Sequence, residues 1–380
     1  MLIILVITIP LPAFAANPDA AWIHWNPKSD HIVSHTDKAA AYPRAKRLSN
    51  GDILLGYHHG GGLGEYGTFV TLRKSRDGGL SWTETRDIDK PEPPAFWGFS
   101  NVDFIEVAPG RLLLVTAARG KALPNEPEFL GECRRSALRI RLSNDFGATW
   151  GEPRHVAQGR GRVWEPSIVL LPDGTIEIYY ANEAPDLDFT DRLDQRIELI
   201  RSHDGGATWT EPATISQHSR RRNGMPAALV LANGRVACAQ EVVRDRYSPF
   251  IAQTLRGKTV EEYIAQKDYA FGAAPHLLGA PDGATLLAFH SGFQKPAAPE
   301  NAPVPWMFTD VWVQRGDADA KNFRGATRPW GEIGPLEGLF FPSLFMKDTK
   351  TVVALASFLT HHRDGTSTTQ IRWIEGTLAR

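Results

Sequence analysis

Apolar residues along the chain fall in short runs separated by glycine-containing turns, and one layout recurs six times. Each copy has an extended segment, a turn and a second apolar run. The copies read YPRAKRLSNGDILLGYHH from Tyr42, SNVDFIEVAPGRLLLVTAAR from Ser100 and WEPSIVLLPDGTIEIYYANE from Trp164. They continue as GMPAALVLANGRVACAQEVV from Gly224, AAPHLLGAPDGATLLAFHSG from Ala273 and FFPSLFMKDTKTVVALASFL from Phe340. Runs of this length, bounded by turn residues, predict β-strands joined as hairpins. The turn glycines Gly51, Gly110, Gly174, Gly234 and Gly283 stand 49 to 64 residues apart, and the sixth copy has lost its own. Asn-Gly, Asp-Gly and Pro-Gly supply the positive φ that tight hairpins demand. A lone hairpin is not stable, so the copies must stack on one another.

A second pattern follows the hairpin in the first three copies: SRDGGLSW (Ser75–Trp82), SNDFGATW (Ser143–Trp150) and SHDGGATW (Ser202–Trp209). The Asp can accept backbone N–H groups across a tight turn, the Gly supplies a left-handed position and the Trp buries a large ring. Degenerate versions lie around Thr254–Lys258 and Arg315–Asp319. This is the Asp-box pattern, and on it the chain resembles the sialidase superfamily of β-propellers. The resemblance implies an all-β fold: a six-bladed β-propeller of four-stranded antiparallel blades. The last blade offers three strands, 341–346, 352–358 and 368–375, so ring closure predicts a fourth near His31–His35. Asp77, Asp145 and Asp204 belong to outer turns and are expected to be structural.

Composition narrows the partners. The 42 Lys and Arg balance 43 Asp and Glu, for a net charge of −1, which argues against nucleic acid. The 34 Gly, 27 Pro and 11 Trp suit a turn-rich β-protein with an aromatic-lined site. Two cysteines, Cys133 and Cys238, make neither a disulfide framework nor a zinc site. Residues 2–9, LIILVITI, followed by Ala13-Phe14-Ala15, read as a signal peptide over residues 1–15. The expected product is a secreted or periplasmic, monomeric single domain over 16–380, with no membrane span and no cofactor or metal.

In a propeller, first-strand starts and second-strand ends face one mouth. Those positions hold Arg44, Asn101, Trp164, Glu165, Met225, His276 and Phe341, then His58, His59, Arg119, Asn182, Glu183, Glu241 and His290. Glu165 and Glu241 fall on adjacent blades, and glycoside hydrolysis needs two carboxylates. Pro166 predicts an extended backbone at Glu165. Trp164 is placed to raise the Glu165 pKa. Trp97, Trp164 and Trp306 are candidates to stack on sugar, and His58 and His59 to bond hydroxyls. Glu183 is the reserve carboxylate, and Arg222, in the run Arg220–Arg222, edges the mouth.

The RVWEPSIVLLPDGTIEIYYANE and NGMPAALVLANGRVACAQE segments also resemble glycoside hydrolase family 93, exo-α-L-arabinanases that release arabinobiose from α-1,5-arabinan. That resemblance implies Glu165 as acid/base and Glu241 as nucleophile. The similar YPR segment makes Arg44 a substrate-binding residue. The family brings a Tyr near the nucleophile from blade six, where this chain has Phe340 and Phe341. Substrate contacts are expected from Arg44, His58, Trp97, Asn101, Trp164, Asn182, Glu183, Arg222, His290 and Phe341. Gly62–Gly67 matches G-x-G-x-x-G, but a strand follows instead of the helix a dinucleotide site requires. Three alternatives remain: a sialidase holding a carboxylate with Arg44, Arg119 and Arg222, a polysaccharide lyase with a His base, and a non-catalytic carbohydrate-binding propeller.

Overall fold

The computed structural model describes residues 22–34, 39–61, 66–183, 195–243, 247–265, 272–292 and 307–379. The proposed signal segment, Trp306 and most of the Gly62–Gly67 motif lie outside them. Strand β1 (Ile23–Ile32) precedes the first blade, which is β2 (Ala40–Arg47), β3 (Ile53–Gly60), β4 (Thr68–Ser75) and β5 (Arg86–Asp89). Blade two is β6 (Gly98–Ala108), β7 (Arg111–Arg119), β8 (Ala137–Ser143) and β9 (Arg154–Val156), with a short helix α1 (Glu128–Arg134) between β7 and β8. Blade three is β10 (Arg162–Leu170), β11 (Ile176–Glu183), β12 (Arg196–Ser202) and β13 (Ala213–Ser216). Blade four is β14 (Arg222–Val230), β15 (Val236–Val243), β16 (Tyr247–Leu255) and β17 (Lys258–Ile264). Blade five is β18 (Ala273–Gly279), β19 (Thr285–Ser291), β20 (Asp310–Gly316) and β21 (Arg324–Thr327). Blade six joins β22 (Glu337–Met346), β23 (Thr351–His361) and β24 (Ser367–Leu378) to β1.

These are six antiparallel four-stranded sheets. The ring closes through β1 on β24, with Ile23 opposite Leu378 and His31 opposite Trp373. The closing strand starts eight residues before the expected His31. Pairing along β24 removes an open edge, and the strand begins where its partner ends. The loop after β7 contains α1. Both cysteines are buried free thiols.

Apolar clusters fill all six interfaces between neighbouring blades. Leu113, Val115 and Ile140 of blade two, for example, meet Ile168, Ile178 and Tyr180 of blade three. The period-2 alternation of each middle strand sends one side chain set to each neighbour. In β11, Ile178 and Tyr180 face blade two while Tyr179 and Ala181 face blade four.

The three octapeptides fold alike. Ser75 Oγ accepts the Gly79 N–H at 2.8 Å, and Asp77 accepts the Ser81 N–H at 2.9 Å and its hydroxyl at 2.5 Å. The same bonds recur at Asp145 and Asp204. They hold the Asp77 carboxyl down to about 2, with the Ser81 hydroxyl the largest cause. Each Trp packs into the interface with the preceding blade: Trp82 meets Trp373 edge-on at 5.9 Å. Gly79 has φ +95°, and a Cβ there would stand 2.7 Å from the Trp373 ring. Gly79→Ala therefore costs about 2 kcal/mol or more, from left-handed strain and overpacking. A lower denaturation midpoint at unchanged kcat is the expected result, and an unchanged midpoint contradicts the account.

Candidate active site

The innermost strands share a device that positions the site. In each, two residues oppose one on the second strand: Tyr42-Pro43, Asn101-Val102, Glu165-Pro166, Met225-Pro226, Ala274-Pro275 and Phe341-Pro342. These are β-bulges, and proline is tolerated there because the ladder bond is already missing. The first residue of every bulge is left-handed, with φ between +47° and +59°. Glu165, at φ +53°, is thus not extended as the following proline suggested; the bulge overrides that preference. The turn redirects six side chains toward the axis, where Tyr42, Met225, Ala274 and Phe341 pack together.

The second-strand residues opposite the positions before the bulges complete the ring: His58, Ala117, Ala181, Glu241, His290 and Ser357. Several reach to the next blade's bulge. His58 Nδ1 accepts the Asn101 N–H at 3.4 Å, Glu241 Oε2 accepts the Ala274 N–H at 3.0 Å, and Ser357 Oγ accepts the Tyr42 N–H at 3.0 Å. Blade three has Ala181 at this position, too short to reach. There the bulge residue substitutes: Glu165 Oε2 accepts the Met225 N–H at 2.6 Å.

These bonds aim the two carboxylates at one spot. A Cβ built on Gly224 would stand 3.5 Å from Glu165 Oε2 and 3.6 Å from both Glu241 Oε1 and Gln195 Oε1. The two carboxylate oxygens are therefore within about 7 Å of each other, on either side of the point a Gly224 Cβ would occupy. Burial, then the Glu241 charge, raises Glu165 from 4.5 to about 7 against the Met225 N–H, Arg222 and Arg119. Burial also raises Glu241, opposed by the Ala274 N–H and Arg222. Since the Glu241 charge weighs on Glu165, Glu165 is the group that keeps its proton.

The other expected residues divide. Arg222 faces both carboxylates and ion-pairs with Glu183 at 2.5 Å. Glu183 also pairs with Arg162 at 2.9 Å, so it acts as a clamp on two arginines more than as a reserve acid. His58 stacks on Tyr42 and is held at about 4 by burial, hence neutral. With Nδ1 accepting, its Nε2 carries the proton. His290 lies edge-on to Phe341 and is lowered to about 3 by burial. Its Nδ1 meets Thr309 Oγ1 at 3.0 Å, whose proton goes to the Leu339 carbonyl at 2.6 Å. His290 therefore carries its proton on Nδ1, leaving Nε2 as an acceptor, the opposite polarity to His58. Asn101 accepts the Ser100 hydroxyl at 2.8 Å.

Asn182 is not brought to the carboxylates. Its amide is fully buried and donates to Glu198 at 2.8 Å, on the face toward blade two. His59 pairs outward with Asp87 at 2.7 Å. The Trp164 ring carries the Arg119 guanidinium 3.1 Å from its centroid, and Trp97 carries the Lys121 ammonium at 3.9 Å. The Arg162 guanidinium also lies over the Trp164 ring, 5.2 Å from its centroid. Arg44 lies beneath the Tyr42 ring, 4.1 Å from its centroid. Three residues escaped the sequence reading. Gly224 and Gln195 carry no motif, and Tyr42 supplies the axial tyrosine from blade one, where blade six has Phe341. The one available signal was an X-Pro step in five of the six first strands.

No protein-family model matches the chain, and no curated protein matches it by sequence. Solved structures share its fold. A protein of unknown function from Dyadobacter fermentans superposes with a TM-score of 0.75 at 17% identity, covering 95% of this chain and 100% of that one. The Hadza microbial sialidase Hz136 gives 0.64 at 14% identity, covering 90% and 66%. The GH93 α-L-arabinofuranosidase of Fusarium graminearum, solved with arabinobiose, gives 0.59 at 15% identity, covering 93% and 98%. What these structures share with the chain is the fold.

Proposed function

We propose that the protein is a secreted, retaining glycoside hydrolase that acts on α-1,5-L-arabinan from the chain end and releases arabinobiose. The observation that carries this reading is the pair Glu165 and Glu241, whose carboxylates both stand within 3.6 Å of the point a Gly224 Cβ would occupy. Their separation, bounded at about 7 Å, accommodates the ~5–5.5 Å of a nucleophile and acid/base pair. The full-length overlap with the arabinofuranosidase fold supports the substrate class.

In this mechanism Glu165 protonates the leaving glycosidic oxygen as Glu241 attacks the anomeric carbon. A glycosyl-enzyme forms and the alcohol departs. Glu165, now ionised, takes a proton from water, which attacks the same carbon and frees Glu241. Arg222, held by Glu183, favours the anionic form of Glu241 against the rise that burial imposes. The His58 Nε2–H donates to one sugar hydroxyl and His290 Nε2 accepts from another.

Product analysis on linear α-1,5-arabinan, with sialyllactose as a parallel substrate, tests the reading. Arabinobiose as the accumulating product supports it. Release of sialic acid instead replaces it with a sialidase, and silence on both sugars overturns hydrolysis of either.

A further inference from the structure

The second residue after each left-handed bulge residue forms another ring, one step along the innermost strands: Arg44, Asp103, Ser167, Ala227, His276 and Ser343. Three of these side chains bond the next blade's backbone. Asp103 Oδ2 accepts the Ile168 N–H at 3.0 Å, Ser167 Oγ the Ala228 N–H at 3.0 Å, and His276 Nδ1 the Leu344 N–H at 3.3 Å. The ring therefore staples blade two to three, three to four and five to six, whereas no such bond joins blade six to one.

There each group has an N–H or O–H to donate. Ser343 is 2% exposed and its hydroxyl has no hydrogen-bond partner among the described residues. Arg44 is 6% exposed, donates to its neighbour's Pro43 carbonyl at 2.9 Å, and makes no ion pair among the described residues. His276 uses Nδ1 as acceptor, so the neutral ring presents Nε2–H. Burial, then Arg44 and Lys46, holds its pKa well below the ordinary value. The one carboxylate of the ring, Asp103, is already spent on Lys46 at 3.1 Å and on the Phe104 and Ile168 N–H groups. Blades five, six and one are consecutive, so His276, Ser343 and Arg44 are adjacent around the axis. A buried guanidinium without a counter-charge is costly, as is a buried hydroxyl without an acceptor.

We propose that His276, Ser343 and Arg44 build a site for a small monovalent anion, chloride in the first instance, on the axis beneath the carboxylates. The guanidinium supplies the charge, and Ser343 Oγ–H and His276 Nε2–H complete the donor set. One bound anion would satisfy all three groups and staple blade six to blade one, as side chains do between blades two and three, three and four, and five and six. This site stands independently of the hydrolase reading.

Thermal denaturation in sodium chloride against sodium gluconate, at fixed ionic strength, tests it, because gluconate is too large for an interior site. The melting temperature should rise saturably with chloride. Ser343→Ala, a small change that preserves packing, should raise the half-saturating chloride roughly tenfold, the value of one lost bond to a charge. Arg44→Met should abolish the dependence; if that variant fails to fold, Ser343→Ala alone decides. Crystals soaked in sodium bromide should show an anomalous peak among the three side chains. Equal melting temperatures in the two salts and no bromide peak, or a chloride dependence unchanged by Ser343→Ala, would overturn the site.

Discussion

Glu241→Ala should abolish arabinan cleavage, lowering kcat/KM by roughly 10⁴-fold or more, the scale seen when a reacting nucleophile is removed. The fold should survive, because the side chain is only partly buried and its loss leaves one N–H, that of Ala274, to find water. Azide offers a sharper readout than loss alone. In Glu241→Ala it can enter the space left by the carboxylate and attack the anomeric carbon from the same side. The product is then a glycosyl azide of inverted configuration, formed in a single displacement. Glu165→Ala with azide should instead give the retained configuration, since the glycosyl-enzyme still forms on Glu241. Retention in the first variant, or activity within tenfold of the parent, assigns the nucleophile elsewhere.

The fold was legible because its signals are local and repeated. Hairpin turns and S-x-D-x-G-x-[ST]-W octapeptides each close over a few residues, so six copies reinforce one another. The closing strand was placed a few residues late because its partner, β24, is more than 300 positions away and β1 itself has no alternating pattern. The carboxylate pair was also legible, since Glu165 and Glu241 stand at set places within their repeats. What surrounds them was not. Asn182 and Glu183 are neighbours in sequence, yet β-alternation sends one to Glu198 and the other to Arg222. Gly224 lies where the two carboxylates come together, which no residue pattern announces. Tyr42 stands at the axis because its bulge turns it inward, and bulges are set by pairing register across the hairpin.

The ring of second-strand residues also accounts for why Glu165 and Glu241 differ in role. Both hold a backbone N–H of the next blade, but they reach it from different strands, Glu241 from β15 and Glu165 from the bulge of β10. Small residues at Ala117 and Ala181 leave room for Glu165 to cross toward blade four. On the proposed reading, the acid thus comes from the first strand and the nucleophile from the second, and both reach the neighbourhood of Gly224.

Glu165→Gln should leave Glu241 chemistry intact while removing proton donation. Cleavage of arabinan, whose leaving group is an alcohol, should fall roughly 10²–10⁴-fold, the usual worth of a general acid. An aryl arabinoside with an acidic phenol needs no such proton and should still form the glycosyl-enzyme at near-parent rate. The pH profile carries the same assignment. In the parent, kcat/KM on arabinan should decline as pH rises through about 7, where Glu165 loses its proton. That alkaline limb should be absent from Glu165→Gln. Stability gives an independent sign. The folded-state value of Glu165 lies above the ordinary 4.5, so the native protein binds more protons than the unfolded chain between about 4.5 and about 7. The contribution of Glu165 to stability is then lost as pH rises across that window, as its carboxylate ionises beside Glu241. Gln keeps an acceptor for the Met225 N–H and carries no charge. Relative to the parent, the variant should gain melting temperature at pH 8 and none at pH 4. A gain independent of pH, or an alkaline limb that persists in Glu165→Gln, places the titrating acid on another residue.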